Sequence, residues 1–243
     1  MKKIVLIALN IFDFFHKRKI ATFLKKSRFT NFKLILDVGA HKGESIDFFL
    51  THFSVEKIIS FEASPINFKD LEKKLPKKIK SFKKSEIILE NLALGNIKGI
   101  SKFNQLSESS SSTLNELNLN SSYLKKKKNF LNFFSNENYQ KTIDVNVNTL
   151  SNYLSEKNIG HIDLIKIDTE GSELNVLLGL NSLIKNVKFI FFEHHYDDMV
   201  KKNYTFSEIN NFLIVNNFKK FLKLRCLFAN HLNISILISI IHE

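Results

Sequence analysis

Four stretches of this sequence bring together residue types that bind ligands or move protons. The first is Asp37-Val38-Gly39-Ala40-His41-Lys42-Gly43, and the second is Glu62, 23 residues beyond Gly39. The third is Lys166-Ile167-Asp168-Thr169-Glu170-Gly171-Ser172-Glu173, and the fourth is Glu193-His194-His195. Glycines let a chain turn sharply and let a ligand approach the backbone. A dinucleotide fingerprint would place glycine at His41 and again three residues later. Here Gly39 and Gly43 have three residues between them, with an acid two before the first. That arrangement suits an ammonium group, which an acid can hold, better than a pyrophosphate. An acid about 20 residues past such a turn can accept hydrogen bonds from ribose hydroxyls, the role open to Glu62. Asp168 and Glu193 put carboxylates, and His194 and His195 imidazoles, where general acid–base chemistry needs them. Each feature also has a plain structural reading: a tight turn, surface charge, or favourable acids at a helix start for Glu170 and Glu173.

The elements that must position these residues are legible from hydrophobic period. Leu34–Val38 is a short apolar run of the kind buried in parallel sheets. Apolar residues at helical spacing follow (Ile46, Phe49, Leu50, Phe53), then a second strand over Lys57–Phe61. Ser64-Pro65 opens a helix with a cap and a first-turn proline, and Glu86–Leu92 is a third strand. After the middle of the chain come a helix from Thr149, a strand over Asp163–Ile167, a helix over Glu170–Leu180 and a strand over Val187–Phe192. A helix over Phe206–Asn216 and a strand over Phe218–Leu224 complete the series. Alternating strands and helices predict an α/β fold with a mostly parallel, seven-stranded sheet. In such a sheet, ligands bind outside the carboxyl ends of the strands, which is where the four stretches fall.

The divisions predicted are an N-terminal helical appendage (1–32), a principal domain (33–225) and an apolar C-terminal tail (226–243). A polar insertion interrupts the domain at about 96–142, rich in Ser, Asn and Lys. It offers a strand candidate at Gly99–Asn104, and Val145 and Val147 alternate as on an edge strand. Part of it is expected to be mobile and to border the acceptor site.

The 243 residues carry a net charge of +12, with 44% hydrophobic and 25% charged residues. This is ordinary globular composition. The lysine runs, among them seven between Lys73 and Lys84, are not interleaved with aromatics as a single-strand groove requires. Arginine is scarce, so the bidentate base reader is mostly missing. The lysines read as solvated surface, and no nucleic-acid partner is expected. Cys226 is the only cysteine, which excludes an internal disulfide and suits the cytoplasm. The apolar run Ile4–Leu9 is too short to span a bilayer. A packing helix with a basic end, in weak peripheral contact with a membrane, is the expectation there.

From about Leu34 to Leu224 the sequence resembles the FkbM-type family of S-adenosylmethionine-dependent methyltransferases. The resemblance rests on DVGAHKG (37–43), SFEASP (60–65), NLALG (91–95), SSSTL (110–114), VNTL (147–150), DLIKIDTEGSELNVLLG (163–179) and FFEHHYDDM (191–199). Their order and spacing are more specific than any one block. Ala63 departs from the proline that family members often carry. The resemblance implies a Rossmann-like class I methyltransferase fold with an antiparallel last strand. It implies that Asp37, Gly39 and Gly43 line the methionine end of S-adenosylmethionine, that Glu62 holds the ribose, and that Asn91 and Ala93 lie near the adenine. The acceptor it implies is a hydroxyl on a sugar, glycan or other small metabolite.

Two further expectations concern catalysis. His194 or His195 would take the acceptor's proton, with Asp168 as the alternative. Asp168 and Glu193 would end adjacent strands about 4.8 Å apart, where two carboxylates repel unless a cation lies between them. Magnesium would meet that need, with Asp168 and Glu193 as ligands; a satisfied Asp168 beside Lys166 is the other possibility. The competing functions are an NAD-linked oxidoreductase and a basic module that binds nucleic acid or membrane.

Overall fold

The computed structural model describes residues 18–26, 29–78, 84–107, 109–126, 140–195, 197–224 and 234–241. Its strands are β1 (Asn31–Val38), β2 (Ser54–Phe61), β3 (Glu86–Glu90), β4 (Ala93–Leu94), β5 (Gly99–Leu106), β6 (Gln140–Asn148), β7 (Ile162–Ile167), β8 (Val187–His195), β9 (Phe218–Leu224) and β10 (Ile234–Ile241). The helices that frame them are α1 (Glu44–His52), α2 (Pro65–Lys78), α3 (Leu150–Glu156), α4 (Glu173–Leu178) and α5 (Phe206–Val215).

The main sheet has the order β3-β2-β1-β7-β8-β10-β9. Strands β3, β2, β1, β7 and β8 are parallel, and β10 runs antiparallel to both β8 and β9. All six residues of β7 are buried, as a central parallel strand covered on both faces requires.

Alternate side chains along each strand feed two cores. Leu36, Val38, Ile165, Ile167 and Phe192 meet α3, α4 and α5 on one face. Ile35, Ile58, Leu164 and Phe189 meet α1, α2 and the helical residues 18–26 on the other. Fully burying side chains of this size contributes about 1.5–3 kcal/mol each. Local signals fix the helix starts. Ser64 Oγ accepts the Asn67 N–H at 3.1 Å, Thr149 caps α3, and Thr205 with Glu208 forms a capping box on α5.

Three features differ from the sequence expectation. The apolar tail is not separate from the domain, because its residues 234–241 are a strand inside the main sheet. Val145 and Val147 lie on the central strand of a second sheet ordered β4-β6-β5, not on an edge. Here β6 pairs β4 in parallel and β5 antiparallel, and Val145, Val147, Phe103 and Ala93 share a small core of their own. The helix expected from Glu170 starts at Glu173. The residues before it form a turn with Glu170 and Gly171 at φ of 51° and 97°. The run at residues 1–17 lies outside the described residues. Among the described residues no helix is long and apolar enough to cross a membrane.

Candidate active site

Strand order reverses between β1 and β7, so the crevice beyond their carboxyl ends is where this sheet can take a ligand. A cleft, partly open to solvent, lies there. Gly39 and His41 form one wall, Glu62, Ala63 and Asn67 a second, and Leu92, Ala93 and Leu94 a third. Asp168, Thr169 and Glu170 close the β7 side, and Ser109, Ser110, Ser112 and Leu114 come from the insertion.

The turn after β1 is set by backbone packing. Gly39 has φ +83°, and a Cβ there would stand 1.9 Å from the Asp168 carbonyl oxygen. The Asp168 N–H in turn donates to the Val38 carbonyl at 3.0 Å. Gly43 also has positive φ, and its missing Cβ faces Leu71, Leu75 and Ile46 rather than the cleft. Of the two glycines expected at the ligand, Gly39 lines the cleft and Gly43 shapes the start of α1.

Glu62 reaches the cleft while almost fully buried. Its Oε2 accepts the His41 N–H at 2.7 Å, and its Oε1 accepts the Ser64 N–H at 2.9 Å. Burial pushes its carboxyl up from the usual range, against the lowering pull of these bonds. A carboxylate has about four acceptor sites, so capacity for hydroxyl donors remains. Asn91 Nδ2 donates to the Glu62 carbonyl at 2.8 Å and so orients this strand end. Ala93, not Asn91, lines the cleft.

Asp37 lies beneath the cleft instead of in it. It has no exposed surface and accepts Ser45 Oγ at 2.9 and 2.8 Å and Ser60 Oγ at 3.2 Å. Lys166 Nζ stands 3.4 Å from Asp37 and 3.5 Å from Asp168, and it donates to the Gly39 carbonyl at 2.7 Å. Burial would lower the Lys166 pKa, but the negative charges of Asp37, Asp168 and Glu193 outweigh it and raise the value. This ammonium is the cation that keeps the carboxylates from repelling. The expected magnesium site finds no support: Lys166 supplies a positive charge there. Among the described residues no three His, Cys, Asp or Glu side chains gather to hold a metal ion.

His194 also falls elsewhere than expected. Strand β8 continues to His195, so His194 shares a face with Phe192 and turns away from Glu193. Its ring is 4% exposed and packs against Tyr204 and Phe206, with centroids 6.0 and 5.5 Å apart. It does not line the cleft, and neither does Glu193. The His195 side chain lies outside the described residues. Among the described side chains, Asp168, 30% exposed, is the one expected catalytic residue that lines the cleft.

Residues that sequence reasoning passed over hold the site together. Glu173, read as a charge at a helix start, is 1% exposed. It accepts the Gly171 N–H at 2.8 Å, the Thr169 N–H at 3.3 Å and Thr169 Oγ1 at 3.1 Å. Tyr204 OH donates to its other oxygen. The strained turn at Glu170 and Gly171 is thus held by one buried carboxylate. The insertion is tied to that turn: Thr113 Oγ1 donates to the Glu170 carbonyl at 2.7 Å and Asn115 Nδ2 to Ser172 Oγ at 2.9 Å. His41 Nε2 and Ser109 Oγ are hydrogen-bonded at 2.8 Å. The Ser-rich block was the signal for this segment; nothing in the sequence pointed to Tyr204. In a double-mutant cycle by urea denaturation, Glu173→Gln and Tyr204→Phe should couple by about 1.5–3 kcal/mol, as hydrogen bonds to a charged group do. Additive effects would dissolve the pair.

A parallel sheet with its one antiparallel strand next to last, and a ligand cleft at its switch point, defines a class I S-adenosylmethionine-dependent methyltransferase. The chain belongs to the FkbM methyltransferase domain family, whose model matches residues 37–222. Among solved structures, a methyltransferase FkbM from Methylobacillus flagellatus aligns with TM-score 0.54 at 15% identity, over 85% of this chain and 43% of that one. This chain therefore spans less than half of that protein. Magnesium protoporphyrin IX methyltransferase from Synechocystis, solved with bound S-adenosylmethionine, aligns with TM-score 0.55 at 7% identity, over 96% of this chain and 82% of that one. TrmK from M. capricolum, solved with S-adenosylhomocysteine, aligns with TM-score 0.50 at 9% identity, over 94% and 69%. These identities speak for the fold alone. No curated protein matches the chain.

Proposed function

We propose that this protein transfers a methyl group from S-adenosylmethionine to a hydroxyl oxygen of a sugar, glycan or other small metabolite. The observation that carries the reading is the charge of the cleft. Among the described residues its lining holds Glu62, Asp168 and Glu170 and no Lys or Arg, in a chain with net charge +12. Carboxylates repel a pyrophosphate or phosphodiester and accept hydrogen bonds from hydroxyls and ammonium groups. That composition supports S-adenosylmethionine over NAD, and a hydroxyl acceptor over nucleic acid. The single cysteine suits the cytoplasm, where we place the reaction.

In this reading Glu62 accepts the ribose hydroxyls, the backbone at Gly39 and His41 faces the methionine end, and Leu92 and Ala93 flank the adenine. Asp37 and Gly43 support the turn from below, and Asn91 holds the Glu62 backbone. S-adenosylmethionine brings its methyl group already activated, so the protein's part is alignment and proton removal. Asp168 takes the acceptor's proton on its carboxylate, since His194 is turned into the core. The Thr113–Leu114 segment, tied to the Glu170 turn, borders the acceptor.

The test is incubation with methyl-labelled S-adenosylmethionine against separate pools of glycans, small hydroxylated metabolites, RNA and protein. Label is expected on a hydroxyl of the first two; label on RNA or protein overturns the reading. Glu62→Ala should weaken S-adenosylmethionine binding by about 1.5–3 kcal/mol, as losing charge-assisted hydrogen bonds does. The pH dependence follows from the raised carboxyl. Without ligand the fold favours protonated Glu62, which stabilises it at low pH and ceases to as pH rises through the folded value. Ribose hydroxyls favour the ionised form, so calorimetric affinity should fall as pH drops through that value. In Glu62→Gln this dependence should vanish; its persistence would take Glu62 out of the site.

A further inference from the structure

We propose that Asp168 reads the charge of the cofactor, so that the protein separates S-adenosylmethionine from its demethylated product by electrostatics. The inference rests on the cofactor reading above and concerns which group sets that preference.

The chain has 36 Lys and Arg against 24 Asp and Glu, yet among the described residues no Lys or Arg lines the cleft. Lys166, just beneath it, is already engaged. Its ammonium donates to the Gly39 carbonyl at 2.7 Å and pairs with Asp37 at 3.4 Å and Asp168 at 3.5 Å. Asp37 and Asp168 both pair with this one positive charge. These three groups together are therefore negative in excess, and of the two acids only Asp168 opens into the cleft. Its backbone carbonyl lies against Gly39, which puts the acid at the end of the cleft formed by the glycine turn. Glu62 is a poorer charge reader. Each of its oxygens already accepts one backbone amide, from His41 or Ser64, and burial favours its neutral form.

Methyl transfer changes the charge in this cleft. The carbon–sulfur bond breaks with its electron pair left on sulfur, which passes from sulfonium to neutral thioether. The methyl carbon bonds to the acceptor oxygen, and the hydroxyl proton passes to the base. A carboxylate that attracts the sulfonium before transfer loses that attraction afterwards, while the ammonium is common to both forms of the cofactor. Asp168 thus favours substrate cofactor over product and promotes turnover.

The test needs no acceptor. Calorimetry would compare S-adenosylmethionine, S-adenosylhomocysteine and a cationic amine analogue that keeps the charge without the transferable methyl. Asp168→Asn, which preserves shape, should reduce the preference for S-adenosylmethionine over S-adenosylhomocysteine about five- to tenfold, the coupling of one charge pair at a partly solvated site. The analogue should follow S-adenosylmethionine. Loss of affinity for all three ligands by one common factor would overturn the proposal and make Asp168 a structural residue. A second measurement uses the unaltered protein: the preference should shrink as salt rises from about 50 to about 500 mM, because screening weakens charge reading. A preference flat with salt also overturns it. Wild-type protein that binds none of the ligands removes the cofactor reading itself, and this inference with it. Binding of all three with a ratio indifferent to Asp168 removes this inference alone.

Discussion

Gly39→Ala will cost more than about 3 kcal/mol of folding stability, read by urea denaturation. Two costs add. Holding an L-residue at φ +83° costs about 1–3 kcal/mol. The new Cβ would also stand 1.9 Å from the Asp168 carbonyl oxygen, and a backbone atom cannot rotate aside as a side chain can. Either β7 moves away from β1, breaking the Asp168 N–H to Val38 bond, or the turn opens. Both responses deform the cleft, so any folded fraction should bind S-adenosylmethionine poorly. Gly99→Ala is the control, because a Cβ there meets nothing within 4 Å; it should stay within about 0.5 kcal/mol of wild type. A Gly39→Ala protein as stable as that control would refute the close approach.

Lys166→Met will cost about 3–5 kcal/mol, the range for removing one partner of a buried ion pair. The methionine fills a similar volume, so the loss is electrostatic. Asp37, without exposed surface, loses its cation, and the Gly39 carbonyl loses its donor. A second substitution separates this account from simple misfit. Asp37→Asn removes the stranded charge while keeping its shape, so the double variant should recover a substantial part of the loss. A double variant less stable than Lys166→Met, by the same denaturation measurement, would show that Asp37 does not depend on the Lys166 charge.

What was legible in the sequence was whatever depends on period and on strand ends. The runs around Leu34–Val38 and Asp163–Ile167 read as buried parallel strands, and Asp168 at the end of the second reaches the cleft. What could not be read depends on where a strand stops. Ending β8 at Glu193 left His194 in a loop, free to serve as a base. Two more residues of strand give it the parity of Phe192 and send it into the core. Whether a residue lies inside a strand decides whether the alternation of faces governs its side chain at all. Lys166 was visible as a partner for Asp168, but its bonds to Asp37 and Gly39 join residues 127 or more positions apart. The Glu173–Tyr204 pair likewise spans 31 positions. No local pattern encodes a partner that only the sheet order brings near. The apolar run over Ile234–Ile241 was ambiguous in another way: a short apolar segment does not say whether it covers a sheet or joins it.

That last strand has a consequence for how the chain is made. Among the described residues, β9 has a single neighbour in the sheet, β10, and β10 also borders β8. On a ribosome, β8 and β9 emerge first and have no pairing with each other to form. Until residues 234–241 leave the exit tunnel, each presents an open edge, and such edges are where nascent chains associate wrongly. The sheet is finished from its middle, by insertion, and that step joins strands already made. Ribosome-bound chains stalled before Ile234 should therefore be protease-sensitive over Phe218–Leu224 while β1, β2 and β7 are already protected.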